Sequence, residues 1–150
     1  LEIKTGLFNV ECRLCKNGKM YLMEVSPRAG GNRLAEILNY AADVNIIEAE
    51  TRKALGLCVN EIHEPNYNGN YAILVLHSDR KGIFKGICVD DEFREKHIVE
   101  EELRIRQGES VESFSGANNA IGTLFLKFDT REELAYALEN QEHWIKIEME

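Results

Sequence analysis

The stretch Phe8–Arg28, F-N-V-E-C-R-L-C-K-N-G-K-M-Y-L-M-E-V-S-P-R, constrains the fold more than any other part of the chain. Asn17-Gly18 sits between two runs of alternating residues. Asn-Gly in that setting is the strongest short-range signal for a β-hairpin closed by a two-residue type I′ turn. A turn of fixed length fixes the register of both strands. A two-residue turn pairs Lys16 with Lys19, Leu14 with Tyr21 and Cys12 with Met23. Further from the turn it sets Glu11 opposite Glu24 and Asn9 opposite Ser26, with all four polar side chains on one face.

Like charges directly opposite one another destabilise an antiparallel pair. Two readings account for the acids. A hard cation such as Mg²⁺ or Mn²⁺ takes carboxylate and amide oxygens and is often shared with a substrate phosphate. Alternatively, both glutamates face water and cost the hairpin about 0.2–1 kcal/mol. The register alone leaves both readings open.

A chain of 150 residues can hold one compact core or two small subdomains. An apolar fraction of 44% and a charged fraction of 29% fit a soluble globular protein. The net charge of −8 argues against nonspecific binding to nucleic acid or to anionic membrane. No apolar run approaches membrane-spanning length. The sequence starts at Leu1 and shows no leader pattern, so an internal segment of a longer protein is expected. Cys12, Cys15, Cys58 and Cys88 do not form a disulfide framework. Residues three apart on a strand point to opposite faces, so Cys12 and Cys15 do not converge. Buried, reduced thiols and a cytoplasmic location are the expectation. His63, His77, His97 and His143 are scattered without ligand spacing, and surface or loop roles are expected for them.

The rest of the chain reads as an α+β protein in two parts. Residues 1–58 hold the tail of an element at Leu1–Thr5, the hairpin and two helices. Pro27 ends the second strand. Gly30 and Gly31 are read as allowing positive φ and close approach of the backbone to a ligand. Asn32 is the expected N-cap of a helix through Leu34, Ile37, Leu38 and Ala41. Asp43 is the expected N-cap of a second helix ending at Gly56. Both helices are expected to cover a face of the hairpin's sheet. Residues 59–70 read as a connector with Pro65 and the turn-rich run Asn66–Asn70. Residues 71–150 read as a small antiparallel α+β unit. Its strands are expected at Tyr71–His77, Ile83–Val89, Leu103–Arg106, Val111–Phe114, Ile121–Phe128 and Trp144–Met149. A helix is expected at Arg131–Glu142, with Asp129 or Thr130 as its N-cap, and a short helix or loop at Asp90–Val99. Glu100–Glu102 reads as a solvated charge run, and Trp144 is expected to pack between the last helix and strand.

Taken together, N-V-E, the Asn-Gly turn and E-V-S-P-R-A-G-G-N resemble the C-terminal metal-binding signature of the ATP-grasp ligases. The usual form is a glutamate on one strand, a turn with Gly, and E-x-N-P-R on the next strand. The match covers about residues 7–57. The resemblance implies the C-terminal portion of an ATP-grasp domain, an antiparallel sheet with helices, followed by a small α+β subdomain. The second part resembles the extra C-terminal domain of L-amino-acid ligases.

By the same resemblance, Glu11 and Glu24 match the acids that hold Mg²⁺ (or Mn²⁺) ions bridging the phosphates of ATP. Ser26 falls where the family commonly has an Asn metal ligand, and Asn9 opposite it is a candidate compensating ligand. Arg28 matches the arginine that contacts the transferred phosphoryl group or the acyl phosphate. The implied reaction is ATP-dependent coupling of a small carboxylate to an amine through an acyl phosphate. The family's ATP-clamping lysines and glycine-rich loop are not matched by Lys4, Lys16 or Lys19. The preceding part of the same protein is therefore an implied partner, and these 150 residues alone are expected to be inactive. Two alternatives stand beside this reading. One is a carbamoyl-phosphate-synthase-like or phosphoribosylamine–glycine-ligase-like enzyme of the same superfamily. The other is a non-catalytic interaction or homodimerisation domain on the same scaffold.

Overall fold

The computed structural model of the chain describes residues 6–59 and 62–150. The expected tail at Leu1–Thr5 and two connector residues, Asn60 and Glu61, lie outside the described residues. The chain divides into two compact units, with the division between Tyr67 and Asn68.

In the first unit, β1 (Asn9–Leu14) and β2 (Met20–Ser26) form a two-stranded antiparallel hairpin. Its turn is one residue longer than Asn-Gly predicts. The Gly18 N–H donates to the Cys15 carbonyl (2.9 Å) and the Cys15 N–H to the Lys19 carbonyl (3.0 Å). A type I′ turn needs positive φ at both central residues, yet only Gly18, at φ 73°, has it. The loop is therefore Lys16-Asn17-Gly18, with Gly18 supplying the left-handed residue of a G1 bulge.

Two helices follow, α1 (Leu34–Ala42) and α2 (Ile46–Ala54). Neither starts on the expected cap. Arg33, at φ 61°, precedes α1 with no side-chain cap. Asp43, at φ 55°, closes α1 as its left-handed C-cap instead of opening α2. Asn45 caps α2, its side chain accepting from the Glu48 N–H at 3.0 Å. The expected stop at Gly56 holds. Gly56 is left-handed at φ 70°, its N–H bonds to Lys53 O, and the Leu57 N–H bonds to Arg52 O. Those two bonds are a Schellman motif. The helices do not cover the hairpin. Val10, Leu14, Met20, Leu22 and Val25 are all exposed, and only Ala35, Ala42 and Val44 are buried apolar residues among those described in this unit.

The second unit runs β3 (Asn70–Leu76), β4 (Gly82–Val89), α3 (Asp91–His97), β5 (Ile98–Leu103), β6 (Ser110–Val111), β7 (Gly122–Phe128), α4 (Arg131–Glu139) and β8 (Ile145–Met149). Two antiparallel three-stranded sheets result, in the orders β3-β7-β5 and β6-β4-β8. The central strand β7 carries the core. Leu124, Phe125 and Leu126 are fully buried, and Leu76, Phe84, Val89, Val111, Ile121, Phe128 and Trp144 are buried with them. Trp144 donates its indole N–H to the Ala137 carbonyl of α4 (2.8 Å) and stacks on Phe93 at 3.9 Å. That places it against the last helix, as expected.

Asp90 caps α3 and Thr130 caps α4, the latter with Glu133 in a full capping box. The expected helix to Glu142 ends earlier, at Glu139, with a 3₁₀ turn at Gln141–His143. The expected strand Val111–Phe114 is confined to Ser110–Val111. Glu100–Glu102 lies within β5 and pairs with β7, and Glu101 meets the Arg94 guanidinium, so the run is not simply a solvated face. None of the four cysteines is buried: Cys12, Cys58 and Cys88 are exposed, Cys15 is intermediate, and all are free thiols. No helix among the described residues is long and apolar enough to cross a membrane.

Candidate functional site

The outer half of the hairpin has the register that sets the acids together. Asn9 faces Ser26, Val10 faces Val25 and Glu11 faces Glu24. Nearer the turn the pairs are Cys12–Leu22, Arg13–Tyr21 and Leu14–Met20, in place of the expected Cys12–Met23 and Leu14–Tyr21. The longer loop shifts the register by one residue, and a bulge between Glu11 and Cys12, with Met23 as the extra residue of β2, shifts it back. The two offsets cancel at Glu24. Side chains alternate along a strand, so Asn9, Glu11, Glu24 and Ser26 share one face. Directly opposed residues have Cβ atoms about 4.5–5.5 Å apart, close enough for both carboxylates to reach a single ion at ~2.0–2.1 Å ligand distances.

Glu11 and Glu24 are exposed, while Asn9 and Ser26 are half-buried. The Ser26 hydroxyl donates a hydrogen bond to the Glu24 carboxylate. The chain then turns around Pro27, with the Arg28 N–H on the Ser26 carbonyl at 2.9 Å. Arg28 is exposed, and its Nη1 donates to the Ala29 carbonyl at 2.8 Å. Among the described residues its one hydrogen-bond partner is this neutral oxygen, so its charge is not spent on a carboxylate there.

Of the glycines after Arg28, Gly30 works by proximity and not by positive φ, while Gly31 shows neither: a Cβ there would meet nothing within 4 Å. A Cβ on Gly30 would lie 3.1 Å from the Asn9 amide oxygen and 2.6 Å from Leu34 Cδ1. The left-handed residues are instead Asn32 (φ 53°) and Arg33 (φ 61°). Arg33 is a residue that sequence reasoning missed. Its Nε lies 3.0 Å from both oxygens of Glu36, which braces the turn between Arg28 and α1. The Arg-x-x-Glu spacing was the available signal.

The donor set on this face consists of carboxylate, hydroxyl and amide oxygens, with no sulfur or imidazole among Asn9, Glu11, Glu24 and Ser26. Hard oxygens suit Mg²⁺ or Mn²⁺ and not a thiophilic metal. Among the described residues no group of three or more His, Cys, Asp or Glu stands ready to hold a metal by itself. Two carboxylates fit a Mg²⁺ site whose remaining positions are filled by water and substrate phosphates. The residues present fit the group.

No protein-family model matches the sequence, and neither does any curated protein. Solved structures do match in shape. The chain superposes on L-amino acid ligase from Bacillus licheniformis with a TM-score of 0.80 and 18% identity, over 99% of this chain and 37% of that one. Against phosphoribosylglycinamide synthetase from Anaerococcus prevotii the TM-score is 0.74 at 21% identity, over 95% of this chain and 37% of that one. Against N5-carboxyaminoimidazole ribonucleotide synthetase from Thermotoga maritima it is 0.68 at 14% identity, over 97% and 38%. The chain thus spans 37–38% of the length of these solved chains. All three neighbours are ATP-grasp ligases, and this chain has the α+β fold of the C-terminal portion of an ATP-grasp enzyme.

Proposed function

We propose that this chain is the metal- and phosphoryl-holding part of an ATP-dependent ligase that joins a small carboxylate to an amine. The observation that carries the reading is the cross-strand pair Glu11–Glu24, followed at once by Ser26-Pro27-Arg28. An acid pair that should repel has its counterpart in a divalent cation, and just beyond it lies the Arg28 guanidinium, which meets no carboxylate among the described residues.

In this reading Glu11 and Glu24 hold Mg²⁺ or Mn²⁺, with Ser26 and Asn9 as neighbouring neutral oxygens. When bound, the cation neutralises charge on the phosphates of ATP and on the transferred group. Arg28 presents a planar fork of donors to the transferred phosphoryl group or to the acyl phosphate it forms. These residues act by positioning and charge stabilisation, the main needs of phosphoryl transfer. Residues 1–58 belong to the grasp domain, 59–70 connect it, and 71–150 form an appended subdomain. The lysines and glycine-rich loop that clamp ATP come from the preceding part of the same protein. The likeness in shape to an L-amino acid ligase supports a carboxylate–amine substrate pair.

The test is phosphate release by the full-length protein across a panel of amino acids and other carboxylates. Wild type should turn over with at least one of them, and Glu24→Gln should lower that rate on the order of a hundredfold. Turnover that Glu24→Gln leaves unchanged, or no turnover with any member of the panel, would overturn the reading.

A further inference from the structure

The Ser26 hydroxyl is hydrogen-bonded to one oxygen of Glu24, two residues before it on the same face of β2. Glu24 is exposed and Ser26 half-buried, so the shorter, better anchored side chain steers the longer one. A carboxylate with one oxygen engaged in this way offers a cation its other oxygen. It is biased towards binding through one atom and against chelation through two.

That bias discriminates between cations. Ca²⁺ takes six to eight oxygens at about 2.3–2.6 Å and readily accepts both oxygens of a carboxylate. Mg²⁺ demands near-octahedral geometry at about 2.0–2.1 Å, for which a single carboxylate oxygen suffices. Ser26 also has too short a side chain to do what an amide does at the same place. Its hydroxyl reaches Glu24.

We propose that Ser26 is a positioning residue that sets the metal selectivity of this site, holding Glu24 in one-oxygen coordination and so favouring Mg²⁺ and Mn²⁺ over Ca²⁺. The proposal rests on the metal-holding role given to Glu11 and Glu24 above. It assigns Ser26 to the carboxylate and not to the ion.

The experiment measures Mn²⁺ binding to the full-length protein with ADP, by electron paramagnetic resonance, with Ca²⁺ and Mg²⁺ as competitors. No turnover is involved. Ser26→Ala should weaken Mn²⁺ binding by about tenfold, the scale of a lost outer-shell partner, and Ca²⁺ should become the better competitor relative to Mg²⁺. Ser26→Thr keeps the hydroxyl on a strand-compatible residue and should keep both the affinity and the Ca²⁺/Mg²⁺ ratio. An unchanged ratio in Ser26→Ala, or an equal loss in Ser26→Thr, overturns the proposal while leaving the metal site standing. Wild-type protein that binds no Mn²⁺, or binds it no better than Glu24→Gln, overturns the metal site and this proposal together.

Discussion

A Cβ on Gly122 would lie 2.4 Å from the carbonyl oxygen of Glu102 and 3.1 Å from the Cα of Leu103. Both are backbone atoms of β5, which pairs with β7 here through Leu103 and Gly122. The neighbour cannot swing aside as a flexible side chain would, so Gly122→Ala must push one strand off the other. We expect a loss of about 1–3 kcal/mol, as for overpacking elsewhere, seen as a lower urea midpoint with an unchanged slope. An unchanged midpoint would mean that β5 contributes little to the core. A milder residue effect sits at Glu150. The Lys85 ammonium bonds to its carboxylate and also attracts it through space, holding the carboxyl below the usual glutamate range. A carboxyl depressed in the folded state adds stability above its unfolded pKa, and that stability is lost as pH falls through the folded value. Glu150→Gln should therefore flatten the acid end of the melting-temperature profile slightly and leave neutral pH behaviour nearly unchanged. Because the pair is exposed, high salt should erase the difference.

At the scale of elements, capping chemistry was the most legible signal. Thr130 and Glu133 form the capping box that their spacing announces, and Thr130 was one of two expected caps. Thr130→Ala should cost about 0.5–2 kcal/mol, read as a fall in the thermal midpoint of the second unit. No change would place α4 outside the cooperative core, against the burial of Ala137 on its inner face. The hairpin was legible at its outer end and not near its turn. Asn17-Gly18 announces a turn, but a dipeptide does not say whether positive φ is used once or twice. Here only Gly18 uses it, which lengthens the loop. The compensating bulge at Met23 carries no glycine and so leaves no mark in the sequence. Glu11 still meets Glu24 because the two hidden offsets have opposite sign. Caps were misread at Asn32 and Asp43 for a related reason. Asn and Asp tolerate the left-handed region as well as they cap, and both sit there with positive φ.

On the scale of the whole molecule, the two units have unequal means of standing alone. The second unit packs Phe84, Ile121, Leu124, Leu126 and Phe128 into one core around β7. In the first, the buried apolar residues among those described are Ala35, Ala42 and Val44, while Val10, Leu14, Met20, Leu22 and Val25 of the hairpin are exposed. An isolated two-stranded hairpin is marginal in water, and three small buried side chains supply little of what the ordered backbone requires. Periodicity could not foresee this, because an alternating strand reads the same whether its apolar face is covered or open. The physical consequence is a division of folding as well as of structure. Residues 68–150 expressed alone should melt cooperatively and show sharp near-ultraviolet circular dichroism from Trp144, which is packed on Phe93. Residues 1–67 alone should show neither a cooperative transition nor appreciable Mn²⁺ binding, since an uncovered hairpin and three small buried side chains leave the register of Glu11 and Glu24 weakly held. In the full-length protein both properties should appear together. A cooperative transition in the isolated first unit would overturn this division and show that the turn and bulge hold the register of the acid pair unaided.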